Sequence, residues 1–353
     1  MTGPAHYFVL PGDPETPTGG FVYDRHVLRA LRQAGRLAGT VVLSGQWPQP
    51  GPATEAAAER AMASLPDGAR VIVDGLAFSP LLEVFAAAAD RLALFALIHH
   101  PLGDETGVSP ALRRRLDARE RDALALVRGV VVTSAHTAER LAAFAVPPER
   151  IRVVRPGIDI VRPRRSVHSA GISGGGPLLL SVASLTPRKG QDVLLRALVR
   201  LRDRPWRLLL AGPPLDRAYA GHLRRLARDL RLGRRIAFIG AVETGVLAGL
   251  YAAADVFVFP SHYEGYGMAA AEAAAHSLPI VATDAGAIAE ATSGARRSLV
   301  PPGRADALAD ALRAALANTW AEAGAGRRAA RSWARTGREF IAAIDDLCAS
   351  FRP

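Results

Sequence analysis

Lysine is nearly missing from this 353-residue chain: of its 44 lysines and arginines, only Lys189 is a lysine. A lysine that persists in an arginine background points to a place where a compact ammonium fits and a planar, forked guanidinium does not. Cysteine is as scarce. Cys348 is the only one, which excludes an internal disulfide framework and leads us to expect a reducing, cytoplasmic setting. No apolar run approaches the length that spans a bilayer. The apolar residues 7–10 are too few for the core of a secretory leader before Pro11-Gly12-Asp13 interrupts them. Acidic charge is also in deficit. The formal net charge of +11 suggests an anionic partner such as a nucleotide phosphate or an anionic lipid. The arginines are spread over helical stretches, with no basic stripe interleaved with aromatics, so nucleic acid is not the expected ligand.

Short apolar runs rich in β-formers alternate with amphipathic stretches, the pattern of a parallel sheet with helices on both faces. In the first half, strands are expected over 6–10, 40–44, 70–73, 93–98, 129–133 and 151–154. A helix is expected over 23–34, with Val27, Leu28 and Leu31 on one face and Gly35 as its stop. Periodicity is lost between Arg155 and Pro177, where a Ser/Gly-rich tract reads as a linker. Strands resume over 178–183, 206–211, 236–239, 256–260 and 280–283, and the tail from Arg304 reads as helical. Two Rossmann-like halves of this kind are expected to hold ligands beyond their strand C-termini, in a cleft.

The densest segment is Pro260-Ser261-His262-Tyr263-Glu264-Gly265-Tyr266-Gly267-Met268, followed by an alanine-rich helix that carries Glu272. A buried strand ends at Pro260. The free amides where the helix begins, with Gly265 and Gly267 permitting close approach, make a phosphate-sized anion site. Two carboxylates beside such a site fit a ligand that carries hydroxyls as well as phosphate, because a carboxylate accepts two hydrogen bonds from a vicinal diol. Lys189 ends the matching turn after the apolar run 178–183, in Thr186-Pro187-Arg188-Lys189-Gly190.

Glu264 and Glu272 have the E-x7-E spacing of the retaining family 4 glycosyltransferases, which the chain resembles along nearly its whole length. The resemblance extends to Glu264-Gly265-Tyr266-Gly267, Pro279-Ile280-Val281-Ala282-Thr283, Arg188-Lys189-Gly190 and Pro156-Gly157-Ile158-Asp159. It implies a GT-B fold: α/β, with two Rossmann-like domains facing across a cleft and a C-terminal helix crossing back to the first. The implied acceptor domain covers 1–157 plus 335–353, a linker covers 158–177, and the donor domain covers 178–334. Lys189 would contact the donor diphosphate, with Gly265, Tyr266, Gly267 and Met268 around it. Glu272 would hold the ribose, and Glu264 would touch the transferred sugar. Gly19-Gly20 resembles the family's glycine loop near the phosphates, and His99 or His100, before Pro101, resembles its cleft histidine. Glu105 is placed with His100 on the acceptor side. The family's arginine ahead of the lysine is replaced by Ser184, which leaves Arg188 as the candidate second charge.

The activity so implied is transfer of a hexosyl group from a nucleoside-diphosphate sugar to an acceptor hydroxyl, the acceptor being a lipid, a saccharide or a small metabolite. The chain contains no Asp-x-Asp, the motif by which GT-A transferases hold a cation. We therefore expect no metal and no cofactor, with fixed cations and helix amides in their place. Two alternatives stand beside this reading. Gly265-x-Gly267-x-x-Ala270 with Asp284 imitates the fingerprint of an NAD-type oxidoreductase, which would leave Lys189 unexplained. A nucleotide-sugar-binding protein of the same shape without turnover would be expected to lack Glu264 or Lys189, and both are present. Finally, Arg113-Arg114-Arg115 follows Ser109-Pro110, with Leu112, Leu116, Ala123 and Val127 expected to face inward. The run reads as a solvated face, with weak association at the inner membrane surface as a second use.

Overall fold

The computed structural model describes residues 4–161, 175–317 and 330–350. The chain divides into two compact units, Met1–Gly157 with Arg331–Pro353, and Ile158–Ala330. Residues 162–174 of the expected linker lie outside the described residues.

The first unit contains strands β1 (His6–Pro11), β2 (Leu37–Leu43), β3 (Arg70–Asp74), β4 (Ala93–Ile98), β5 (Gly129–Val132) and β6 (Ile151–Val153). They form one parallel sheet in the order β2-β1-β3-β4-β5-β6. Parallel pairing needs a crossover between strands, and the helices that supply it cover both faces, which is why β4 is apolar and buried at every position. The strand order reverses between β1 and β3, the kind of switch point where α/β sheets open a ligand crevice beyond the strand C-termini.

The first helix, Gly19–Gln33, begins earlier than the sequence pattern suggests. Thr18 caps it by accepting from the Phe21 amide at 3.4 Å, so Gly19 and Gly20 form the first helical turn and not a preceding loop. In helix Pro110–Leu126, Leu112 is 42% exposed, contrary to the inward face expected for it. The buried contacts of that helix begin only at Glu120, with Ala123 and Leu124 after it, so its first turns stand clear of the core.

The last helix, Trp333–Ala349, completes the first unit. It crosses helix Gly19–Gln33 where Gly337 meets Ala30, and Leu347 packs over Gly129 of β5. Asp345 pairs with Arg36, and Arg152 donates to Asp346 at 2.6 Å. Among the described residues no helix is long and apolar enough to cross a membrane.

The second unit contains β7 (Leu178–Val182), β8 (Arg207–Ala211), β9 (Ile236–Gly240), β10 (Val256–Phe259), β11 (Ile280–Thr283) and β12 (Arg297–Val300). The sheet is again parallel, ordered β12-β11-β10-β7-β8-β9, with its reversal between β7 and β10. The sequence pattern misses β12. This edge strand buries only Val300, and Arg297 turns its guanidinium to Thr292 Oγ1 at 2.7 Å, so no apolar run marks it.

The crossing of the first and last helices is tight enough to test. A Cβ on Gly337 would lie 2.5 Å from the Ala30 Cβ. Gly337→Leu is expected to lower stability by about 1–3 kcal/mol through overpacking, read as a lower urea midpoint. Adding Ala30→Gly should return part of that loss, and purely additive effects would show that the crossing is not the cause.

Candidate functional site

In the second unit, the loops after β7 and β10 meet at the switch point. Lys189 ends a single 3-10 turn, Pro187–Lys189, and Gly190 follows with φ +62°. That left-handed position lies so close to Pro260 that a side chain at Gly190 would collide with the Pro260 carbonyl. The loops are then joined by two hydrogen bonds: the His262 amide donates to the Arg188 carbonyl at 2.8 Å, and Arg188 Nη1 donates to the Tyr263 carbonyl at 2.9 Å. The Glu264 carbonyl accepts from the Ala287 amide at 2.9 Å, and Gly286, at φ +60°, leaves room for it. Lys189 Nζ consequently lies 2.6 Å from Glu264 Oε1, and Arg188 Nη1 lies 3.6 Å from Oε2. Glu264 is only 6% exposed. Burial pushes its carboxyl up, but Lys189 and then Arg188 outweigh this and hold it below the usual range. His262 serves this loop contact through its backbone.

Gly267, at φ +94°, precedes helix Met268–Ala275. The first amides of that helix have no carbonyl partner within it. Gly265 is buried in the approach, and Tyr266 and Met268 are half-buried. Glu272 lies in the second turn, where its Oε2 accepts from the Tyr251 hydroxyl at 2.8 Å. Burial pushes this carboxyl up to about 7; the Tyr251 hydrogen bond opposes the rise and Asp159 adds to it. Ser184, where the resemblance implies an arginine, brings no charge, and its carbonyl accepts from Gln191 Nε2 at 2.9 Å.

The first unit builds a separate cluster at its own switch point. His99 follows β4, Asp74 ends β3, and Asp24 lies one turn beyond Gly20 in helix Gly19–Gln33. His99 Nε2 is 3.1 Å from Asp24 Oδ1 and 3.3 Å from Asp74 Oδ2, and both carboxylates are buried. Asp74 also caps helix Gly75–Phe78 by accepting from the Leu76 amide at 2.7 Å. Gly20 faces the imidazole: a Cβ there would lie 3.2 Å from His99 Cδ2. Nε2 is the ring nitrogen that faces both carboxylates, which leaves Nδ1 as the nitrogen to meet a ligand. Burial pushes the imidazolium down, but Asp24 and then Asp74 hold it well above the usual histidine range. Asp24 itself is pushed up, by burial and by Asp74. The three ligand atoms lie within 4.8 Å of one another, so the cluster could also hold a cation. His100 is placed apart from these groups, in a partly exposed pair with Glu105 at 2.9 Å.

Sequence reasoning singled out Lys189, Glu264, Glu272, His99 and Gly20, and missed Asp24, Asp74 and Tyr251. Asp24 and Asp74 were detectable as acids within apolar patterns. Tyr251 looked like any aromatic on a core-facing helix.

The family described as "Glycosyltransferase Family 4" matches residues 21–162, and "Glycosyl transferases group 1" matches 176–318. The chain belongs to the family 4 glycosyltransferases. It is 33% identical over 215 residues to D-inositol 3-phosphate glycosyltransferase 2 of Catenulispora acidiphila, covering 57% of this chain and 49% of that protein. The chain thus spans about half the length of the curated relatives it matches. Sucrose-phosphate synthase of Thermosynechococcus elongatus superposes with a TM-score of 0.72 at 22% identity, over 98% of this chain and 95% of that one. Alr3699/HepE of Anabaena, in complex with UDP and glucose, gives 0.72 at 19% identity over 97% and 99%. The fold of this family 4 member is therefore GT-B, two parallel α/β sheets.

The first-unit cluster makes a pH prediction. In ¹³C-histidine NMR, the His99 ring is expected to stay an imidazolium through neutral pH and to titrate well above an ordinary histidine. Asp24→Asn removes the main charge that favours the proton, so the ring should then lose it at lower pH. An unchanged titration would show that Asp24 does not hold it.

Proposed function

We propose that the chain is a retaining, metal-independent glycosyltransferase that moves a hexosyl group from a nucleoside-diphosphate sugar to an acceptor hydroxyl. One observation carries the reading: the buried Lys189–Glu264 pair, with Arg188 beside it and a helix N-terminus following. Breaking the bond between the anomeric carbon and the leaving phosphate oxygen puts positive charge on the sugar and negative charge on the diphosphate. An ammonium toward the phosphate and a carboxylate toward the sugar answer both charges. In the proposed step the acceptor oxygen bonds to the anomeric carbon from the face the phosphate leaves, and its proton passes to the departing phosphate oxygen. No side-chain base is required. A protonated His99 is a hydrogen-bond donor of the first unit and not a base.

Arg188 takes the part of the arginine that Ser184 replaces, and Glu272 takes the ribose diol. The UDP bound by the Anabaena relative and the glycosyltransferase names of the curated relatives support a nucleotide-sugar donor. The first unit is assigned to the acceptor, with His100 and Glu105 at its surface. The exposed start of helix Pro110–Leu126, with Leu112 beside Arg113, Arg114 and Arg115, suits an acceptor held in an anionic membrane surface.

Incubating the purified protein with UDP-, GDP- and ADP-sugars tests the reading. We expect one class to release its diphosphate at a rate that EDTA does not change, with the sugar's anomeric configuration kept. Activity lost to EDTA and restored by Mg²⁺ or Mn²⁺ would refute the metal-independent mechanism.

Lys189 gives a second test. Lys189→Met should cost on the order of 10²–10³-fold in kcat, the scale for one electrostatic stabiliser in a sheltered site. Lys189→Arg keeps the charge but brings a wider planar head to a tight turn, so it should recover only part of that loss. Equal kcat for wild type and Lys189→Arg would remove the special role of the lysine.

A further inference from the structure

We infer that Tyr251 is a positioning residue of the donor site, whose buried hydroxyl holds the Glu272 carboxyl ready for a ribose diol. The inference rests on the ribose role proposed for Glu272. Tyr251 belongs to helix Thr244–Ala253 and is 2% exposed. Its ring lies between His276, nearly parallel at 5.1 Å, and Phe257 of β10 at 5.8 Å. Its hydroxyl is 2.8 Å from Glu272 Oε2 and 3.2 Å from the Ala269 carbonyl. Ala269, Glu272 and His276 are three and four residues apart, so Tyr251 touches one face of the donor helix through successive turns. The contact fixes both the carboxyl and the helix that carries it.

The hydroxyl has one hydrogen and two acceptors. When Glu272 is ionised, that hydrogen goes to Oε2. When Glu272 is protonated, the carboxyl donates to the hydroxyl, which turns its own hydrogen to Ala269. Both states are hydrogen-bonded, so the carboxyl can change charge without moving. The groups that act on it are Tyr251 from helix Thr244–Ala253 and Asp159 from the segment after Gly157, while His276, one turn on, stacks on the Tyr251 ring. Among the described residues no cation pairs with Glu272, and Oε1 has no hydrogen-bond partner. A diol donates two hydrogen bonds and therefore selects the ionised form. Nucleotide binding should accordingly release a proton, and the Tyr251 hydroxyl, which favours the ionised form, sets the pH at which that happens.

Calorimetry with UDP, GDP and ADP across a pH series, on wild type, Tyr251→Phe and Glu272→Gln, tests this. For the nucleotide that binds, wild-type affinity should rise as pH passes through about 7. Tyr251→Phe should move that rise to higher pH, so affinity at neutral pH falls by roughly 3- to 10-fold, the scale of one hydrogen bond, and the gap closes in alkali. Its kcat at saturating donor should change little. Glu272→Gln should bind more weakly at every pH, and adding Tyr251→Phe to it should cost nothing more. Tyr251→Phe indistinguishable from wild type, or weaker by one factor at every pH, would overturn the inference and leave the ribose role standing. Glu272→Gln with wild-type affinity would instead remove the ribose role, and the inference with it.

Discussion

The Glu264 carboxylate is buried, and its burial is tolerable because Lys189 lies 2.6 Å away with Arg188 behind it. Removing two charges from water costs several kcal/mol each, and the attraction between them offsets this only when the geometry is good and the remaining polar atoms are bonded. Here the geometry is set by backbone. Gly190 against Pro260, His262 to Arg188 and Ala287 to Glu264 lock the loops after β7 and β10 before any side chain is considered. The pair therefore stands where the strand order reverses, and in the mechanism proposed above its two charges answer those that appear as a glycosyl–phosphate bond breaks. Fixed charges of this kind need little reorganisation at the moment of reaction.

The two carboxylates of the E-x7-E motif sit in opposite electrostatic settings. Glu264 has two cations and stays ionised; Glu272 has a neutral hydroxyl and a like-charged neighbour, and its proton is loosely held near neutrality. Paired acids pushed apart in this way divide their tasks. The first unit repeats the device with Asp24, Asp74 and His99, where two buried carboxylates fix one imidazole nitrogen and leave the other to act. Gly20, whose pattern resembles a phosphate loop, instead makes space for that ring.

What the sequence made legible follows from where the signal lies. Buried parallel strands such as β4 and β10 announce themselves as apolar runs, and Glu264, Gly265 and Gly267 follow one of them directly. Lys189 was visible because lysine is otherwise missing. Edge strand β12 was hidden by Arg297 and Ser298, whose polar side chains suit an exposed rim. The start of the first helix was misplaced because Gly19 and Gly20 disfavour helix intrinsically, and only the Thr18 cap, together with packing, keeps them helical. Leu112 was misassigned because its spacing is that of a core residue, and spacing does not report whether a core lies opposite. Tyr251 and Asp74 join the candidate sites through contacts between elements distant in sequence, which a single chain does not encode locally.

The chain leaves the first unit at Gly157 and returns at Arg331, where Trp333 packs so closely on Gly157 that no side chain fits between them. The first unit is thus discontinuous in sequence, while the second is an unbroken stretch. During synthesis the second unit can condense as soon as it clears the ribosome. The first must wait, with the surfaces of Ala30 and Gly129 uncovered, until helix Trp333–Ala349 is made. Of the two units, the one whose translation starts earlier is the one completed later, a reversal of the order in which domains generally fold.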